Sequence, residues 1–415
     1  MSIKSTRLDQ YRQLVGDDIL TRIYRAAEPL AGVRVLHLNT TAQGGRVAEL
    51  LHSLLPLMEE LDIPHTWQVV QLDSTSNLFA AHLADLLQGL DHKDIPDVDQ
   101  HIFLERLARS RKVQQTAGSP MDLYFIHDFQ LVPLATLFPW MRPALWMCHV
   151  DTANPDPVGK AYVAPFLDAY NVCVFDTSSS LFHDLPEQQT RVITPSIDPF
   201  SEKNRYLSPE AGLQMLRLLG IDTTRPLITQ VARFGNWKNS WQVIDVYRLV
   251  KQKLPDVQVA LIGAMEASDD IKATKILEDV QQRAADDPDI HLFSDPAVID
   301  HPRVNAFQRY SSVILQRSTR EGSGLTVTEA MWKYQPVVGT SATELRTRII
   351  DGHNGSIADS IEECAQRTLQ FLRERALWRV MGERANAHVR QRYLFPTMVL
   401  QYLEALTRAR GRLQH

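Results

Sequence analysis

Val33-Arg-Val-Leu-His-Leu-Asn39 runs through Thr41-Ala-Gln-Gly-Gly-Arg-Val-Ala-Glu49 into Leu50, Leu51, Leu54 and Leu55. The first stretch is a short Val/Leu run, the last places leucines at helical spacing, and two adjacent glycines stand between them. That order predicts a buried strand, a tight turn and a helix. Short apolar runs recur at Trp67–Leu72, Leu123–His127, Leu145–His149 and Val172–Phe175. After an interval with few strand signals a second set follows at Leu227–Ala232, Val257–Ile262, Ile290–Phe293, Val313–Leu315 and Pro336–Val338. Strands separated by helix-length stretches form parallel sheets covered on both faces. The expected class is α/β, with two Rossmann-like doubly wound domains.

Thr194-Pro-Ser-Ile-Asp-Pro-Phe-Ser-Glu-Lys-Asn204 interrupts this rhythm with two prolines and several polar residues, and is expected to act as a hinge. The domains are therefore placed at 1–195 and 205–390. The tail from Arg367 to Leu413 consists mostly of helix formers, and Pro396 must end or kink a helix there. Residues 391–415 are expected to form a last helix. Ligands of such sheets bind beyond the carboxyl ends of the strands, so two facing sheets would place their site in the cleft between them.

Composition narrows the function. The chain has 415 residues, 44% hydrophobic and 22% charged, the balance of a globular protein of two or three domains. A net charge of -5 gives no reason to expect nucleic acid as partner. Cys148, Cys173 and Cys364 lie far apart with no CxxC pair, which argues against a disulfide framework or a structural zinc site. Residues 1–18 do not read as a signal peptide, and no apolar run is long enough to span a bilayer. A soluble, cytoplasmic protein is expected.

Three segments can carry chemistry. Gly44 and Gly45 let the backbone approach a ligand at a helix start, where free amides favour phosphate oxygens, although a plain tight turn fits them equally well. The segment has neither GxGxxG nor GxxxxGK[ST]. Arg233-Phe-Gly-Asn-Trp-Lys238 leaves a strand end with two cations that suit a diphosphate gaining charge, or are simply solvated. Trp237 and Trp241 read as packing residues. In Arg320-Glu-Gly-Ser-Gly-Leu-Thr-Val-Thr-Glu-Ala-Met331 a helix is expected to start near Leu325 or Thr326, with Glu321 in the loop and Glu329 about one turn inside. Carboxylates so placed accept from sugar hydroxyls, while Glu329 alone also suits a helix-face ion pair. Asp97-Val-Asp99 and Asp287-Pro-Asp289 are DxD strings in polar, proline-containing stretches that read as surface loop, not as metal ligands.

Taken together, the glycine loop with Val47-Ala48-Glu49, the Arg233 and Lys238 pair and the Glu-x7-Glu segment resemble the retaining nucleotide-sugar glycosyltransferases of the glycogen-synthase-like group. Gly44 to Ser53, Pro195 to Pro199 with Ser201 to Asn204, Val304 to Gln308 and Gly324 to Lys333 resemble its trehalose synthase branch, nearly along the whole chain. The resemblance implies the GT-B fold, two facing Rossmann-like domains with a final helix returning to the first. It implies that Arg233 and Lys238 clamp the donor diphosphate, that Gly45 lies against the donor phosphates, and that Glu321 and Glu329 contact donor sugar and ribose. Gly44 beside it, and the free amides of the helix start at Gly324, Leu325 and Thr326, are candidates for the same phosphates on their own chemistry. His149, which alone would read as structural, matches a histidine near the reacting sugar, and His127-Asp128 would line the acceptor side.

The implied reaction moves glucose with retention from an NDP-glucose to a small sugar acceptor, giving trehalose when that is glucose. The nucleotide sugar is a co-substrate, and no cofactor or metal is expected, because Arg233, Lys238 and the helix amides can supply the charge. A homodimer is left open. Ser323, Asn239 and Ser341-Ala-Thr-Glu344 depart from the family pattern around the donor, which points to altered donor or acceptor specificity. The competing readings are a trehalose phosphorylase and a nucleotide-sugar-binding protein without turnover.

Overall fold

The run predicted to open the fold is strand β1, Val35–Asn39, buried along its whole length. The structure is a computed structural model that describes residues 7–411 except 44, 119, 181, 183 and 264–270. With β1 belong β2 (His65–Val69), β3 (Leu123–His127), β4 (Ala144–Cys148), β5 (Val172–Phe175) and β6 (Thr190–Val192). They form one parallel sheet in the order β2-β1-β3-β4-β5-β6. Strands covered on both faces need no polar alternation, which is why β3 and β4 read as nearly unbroken apolar runs. Leu36, Leu38, Tyr124, Ile126, Trp146 and Cys148 share one face and one core with Leu83, Phe103 and Phe175. The alternate residues, His37, Phe125, His127 and Met147, are in register on the other face.

The second sheet holds β7 (Leu227–Val231), β8 (Gln258–Ile262), β9 (Ile290–Phe293), β10 (Val313–Gln316), β11 (Val337–Gly339) and β12 (Gly355–Ile357). Its order is β12-β11-β10-β7-β8-β9, again parallel. Val243, Tyr247, Val259, Val313 and Phe371 fill its core. β6 and β12 had no counterpart in the sequence reading. Each is a three-residue edge strand, Thr-Arg-Val and Gly-Ser-Ile, without an apolar run to announce it.

Two compact units result, Met1–Thr194 with Pro396–His415, and Pro195–Phe395. Pro396 falls in the first turn of the last helix, Phe395–Gly411, where its missing N–H leaves no helix bond unmade. That helix covers the histidine face of the first sheet, with the Tyr402 ring 4.7 Å from that of Phe125. The stretch read as a hinge is largely bound into the second unit. Buried Asn204 donates to Asp198 O at 3.1 Å and accepts from Lys333 Nζ at 2.8 Å, while Asn305 donates to Glu202 O and Arg205 O. The chain passes from one unit to the other only at Thr194/Pro195 and Phe395/Pro396. None of the described helices is long and apolar enough to cross a membrane.

Each sheet reverses its order of winding once, between β1 and β3 and between β7 and β10. Loops leaving the two strands at such a point diverge and open a crevice beyond their carboxyl ends.

Candidate active site

In the second unit both loops at the switch point carry predicted residues. After β7 the chain places Arg233 in solvent and Lys238 at the end of a single 3-10 turn, Asn236–Lys238. Lys238 Nζ lies 2.5 Å from Oε2 of Glu321, which sits in the loop after β10. Gln316 Nε2 and Ser318 Oγ donate to the same oxygen at 3.2 and 3.1 Å, leaving Oε1 to accept from a ligand hydroxyl. Burial works to raise the Glu321 carboxyl, but Lys238, Ser318 and Gln316 outweigh it and hold the group below its usual range. The loops are stitched further by Thr319 N to Trp237 O at 2.9 Å and by Gln230 Nε2 to Lys238 O at 2.8 Å.

Asn239 has a local reason to depart from the family pattern. It holds φ 47°, a left-handed conformation that asparagine tolerates, and its amide donates to Arg317 O at 3.2 Å, which an ionised carboxylate could not do. Trp237 and Trp241, expected in packing, are instead more than a third exposed, with the guanidinium groups of Arg320 and Arg283 at 5.9 and 5.1 Å from their rings.

The predicted helix start is met at Leu325, in the helix Leu325–Trp332, with Gly324 at φ 61° as its N-cap. The first-turn amides of Leu325 and Thr326 are helix-end donors of the kind that bind phosphate. A side chain at Gly324 would be strained by its φ and would meet Arg348 Nε at 3.0 Å. Where relatives were expected to have a glycine pair, Glu344 instead forms a buried ion pair with Arg348 at 2.9 Å. Glu329, one turn into the helix, accepts at Oε2 from Gln308 Nε2 at 3.0 Å and has Lys203 Nζ 3.8 Å from Oε1. Lys333 Nζ, one turn later, bonds Asn204 Oδ1, Gln308 Oε1 and Glu329 O. Gln308, Lys203 and Lys333 were not assigned to this site from the sequence, and only the Ser201 to Asn204, Val304 to Gln308 and Gly324 to Lys333 segments hinted at them.

In the first unit Gly44 lies outside the described residues. Gly45, at φ 83°, caps the helix Arg46–Glu60 in a conformation that only glycine adopts without strain. Arg46, which the sequence reading passed over, reaches across the strand ends. Its guanidinium lies 2.6 Å from Asp176 Oδ2 and donates to His149 O. His149 follows β4 and is buried, as is Asp176 after β5. Asp128 follows β3 at φ 73°, pinned by Trp146 Nε1, which donates to its carbonyl at 2.9 Å. Burial raises the Asp128 carboxyl to about 6, with Asp176 adding and Arg46 opposing. Burial keeps His149 neutral, with Arg46 and His127 lowering it further. The group is thus rich in acceptors and carries one cation.

The DxD strings have other places. Asp97 and Asp99 occupy the first turn of the helix Asp97–Ala108, not a loop, where carboxylates favour the helix dipole. Asp287 and Asp289 both receive Lys251 at 2.8 Å, and Asp289 also pairs with Arg225. No group of three or more His, Cys, Asp or Glu arranged to hold a metal ion occurs among the described residues.

Comparison with known proteins bears on both units. Residues 37–181 match the family described as trehalose synthase, N-terminal domain, and residues 216–388 match glycosyl transferases group 1. The trehalose synthase of Thermococcus litoralis is 35% identical over 402 residues, 96% of each chain. Among solved structures, an alpha,alpha-trehalose-phosphate synthase (UDP-forming) from Burkholderia vietnamiensis superposes with a TM-score of 0.72 at 16% identity, covering 93% of this chain and 99% of its own. HepE from Anabaena, in complex with UDP-glucose, gives 0.67 at 17% identity over 90% of this chain and 99% of its own. The fold is of the GT-B type.

Proposed function

We propose that the chain, a glycosyltransferase that belongs to the trehalose synthase family, moves glucose with retention from an NDP-glucose to a small sugar acceptor, free glucose giving trehalose. The observation that carries this reading is the Lys238–Glu321 pair beside the amino end of the helix Leu325–Trp332. As the bond between anomeric carbon and diphosphate breaks, negative charge grows on the leaving oxygen. Lys238, held by Glu321, and the amides of Leu325 and Thr326 are preorganised donors for that charge, and Arg233 is assigned to join them when the donor binds. Glu321 Oε1 accepts from a hydroxyl of the transferred hexose, and Glu329 accepts from the ribose. In the first unit His149, Asp128, Asp176 and Arg46 are assigned to sugar hydroxyls. No carboxylate is assigned as nucleophile, so transfer proceeds on one face and the departing phosphate takes the acceptor's proton. The clamp supplies the charge that a divalent ion would otherwise bring, so transfer is expected to continue in excess EDTA.

The test is incubation with UDP-, ADP- or GDP-glucose and a panel of sugars, with product and anomeric configuration read by NMR. An α-linked product with release of nucleoside diphosphate is expected. Glucosyl release from trehalose that needs only inorganic phosphate would make the protein a phosphorylase. Donor binding without any product would leave a binding protein.

A further inference from the structure

Below the strand-end group of the first unit lies a row of three buried histidines, His37 in β1, His127 at the end of β3 and His149 just past the end of β4. His127 Nε2 is 3.0 Å from His37 Nδ1, and His127 Nδ1 is 3.0 Å from His149 Nε2. Ring centres along the row are 5.3 Å apart at both steps, with planes inclined by 23° and 17°. An N···N distance of 3.0 Å inside a centre spacing of 5.3 Å leaves only the two ring radii, so the rings meet edge to edge and nearly coplanar. That is the geometry an N–H···N bond requires, because the acceptor lone pair lies in the ring plane. The diagonal follows from register: His37 pairs with Phe125, His127 pairs with Met147, and each histidine stands two residues farther along its strand.

We infer that His127, itself held by His37, is a positioning residue that fixes the ring and tautomer of His149, so that Nδ1–H is the donor His149 presents at the strand ends. This rests on the role given to His149 above. His149 Nε2 is already engaged by His127, which leaves Nδ1 to face the strand-end group. Asp176 Oδ1 stands 4.0 Å from that nitrogen, and a carboxylate there favours a hydrogen on it. The row then reads in one direction, with His37 Nδ1–H donating to His127 and His127 Nδ1–H donating to His149. Tyr402 Oη, 3.2 Å from His37 Nδ1, shares the first of these hydrogens.

The reverse direction meets two obstacles. It would bury an N–H at His37 Nε2, which has no partner among the described residues, and a bare donor costs more than a bare lone pair. It would also ask the single lone pair of His37 Nδ1 to accept from His127 and Tyr402 together. Because the row ends on that unpartnered nitrogen in the core, it holds His149 in place and does not conduct protons to solvent.

The experiment uses the full chain labelled with 15N-histidine, His149 signals being assigned by their loss in His149→Asn. NMR of the wild type is expected to show His149 protonated at Nδ1 and bare at Nε2. His127→Phe keeps a ring in the core and removes both nitrogens. It is expected to release the tautomer preference and to lower kcat by about 10–100-fold, by analogy with the loss of a partner that orients a metal-ligating histidine, with donor KM unchanged. His127→Gln, whose amide can donate and accept, is expected to recover most of both and serves alone if the Phe variant does not fold. A wild-type His149 protonated at Nε2 overturns the inference whether or not sugar is transferred, and so separates its failure from that of the proposed function. Unaltered tautomer or kcat in His127→Phe, or a His127→Gln no better than His127→Phe, overturns it as well.

Discussion

Replacing Lys238 by methionine keeps most of the aliphatic stem and removes the charge, and the structure indicates two separable consequences. The ammonium is 2.5 Å from Glu321 Oε2, with side-chain exposures of 21% and 8%. Losing a preorganised donor aimed at the leaving group is expected to lower kcat by about 10²–10³-fold, roughly 2.7–4 kcal/mol of transition-state stabilisation. Glu321 also loses the cation that opposes its burial. Breaking a buried pair by removing one partner costs about 3–5 kcal/mol of stability, and the lower end applies because solvent still reaches Lys238. Glu321→Gln removes the stranded charge. The double variant should therefore be more stable than Lys238→Met alone, and its kcat loss should fall short of the product of the two single losses.

The assay is initial-rate transfer at saturating substrates together with urea unfolding for all four proteins. Changes that add within about 0.5 kcal/mol, the behaviour of independent sites, would refute the pair as a working unit. Acid unfolding supplies a second check with a defined sign. The folded-state pKa of Glu321 lies below the unfolded value, so its stabilisation is present above the ordinary carboxylate range and is lost as pH falls through the depressed value. In Lys238→Met burial dominates and raises that pKa. The variant should then lose stability as pH rises through the carboxylate range, opposite to the wild type.

Gln308→Leu removes the donor that orients Glu329 Oε2 and one acceptor of Lys333; donor KM should rise about 10-fold with kcat nearly unchanged, the signature of lost uniform binding, read from steady-state kinetics. Asp128, raised to about 6, accepts from an acceptor hydroxyl more strongly when ionised, a charged acceptor making the stronger bond, so acceptor KM should climb as pH falls through that value, and a pH series on Asp128→Asn should lack the inflection. Asn239→Ala keeps a strained φ of 47° and loses the bond to Arg317 O; thermal melting should show a loss of about 1–3 kcal/mol, and Asn239→Gly should recover the backbone part of it.

The sequence carried the two sheets because strands buried on both faces must be written as apolar runs, and ten such runs stood out. It did not carry β6 or β12, edge strands too short to need one. The same physics divides the site. Glu321 and Lys238, the contacts proposed here, were legible as candidates because a loop after a strand, a glycine and a helix start are local features that residue type and spacing suffice to mark. What holds Glu321 is local as well, Gln316 and Ser318 lying just before it in the chain, but their role shows only once the loop is folded. Around Glu329 the partners come from farther off, Gln308 from the preceding helix and Lys203 from more than a hundred residues away, while Asn204 acts through Lys333.

The first unit makes the point more sharply. His37 in the middle of an apolar run, and His127 and His149 at the ends of two others, are each a single polar residue that alone reads as incidental. Only the diagonal register of β1, β3 and β4 places the first two as a row under His149. Arg46 was equally silent, since beside two glycines it reads as a solvated helix residue, yet it ties Asp176 to the carbonyl of His149. Residues proposed to meet a substrate are marked by the turn they stand on, whereas those proposed to aim them are marked only by their partners. A search of related sequences for altered specificity should therefore begin at Arg46, Lys203 and Glu344, whose pairings change the charge presented to a ligand while leaving the Arg233, Lys238 and Glu321 signature intact.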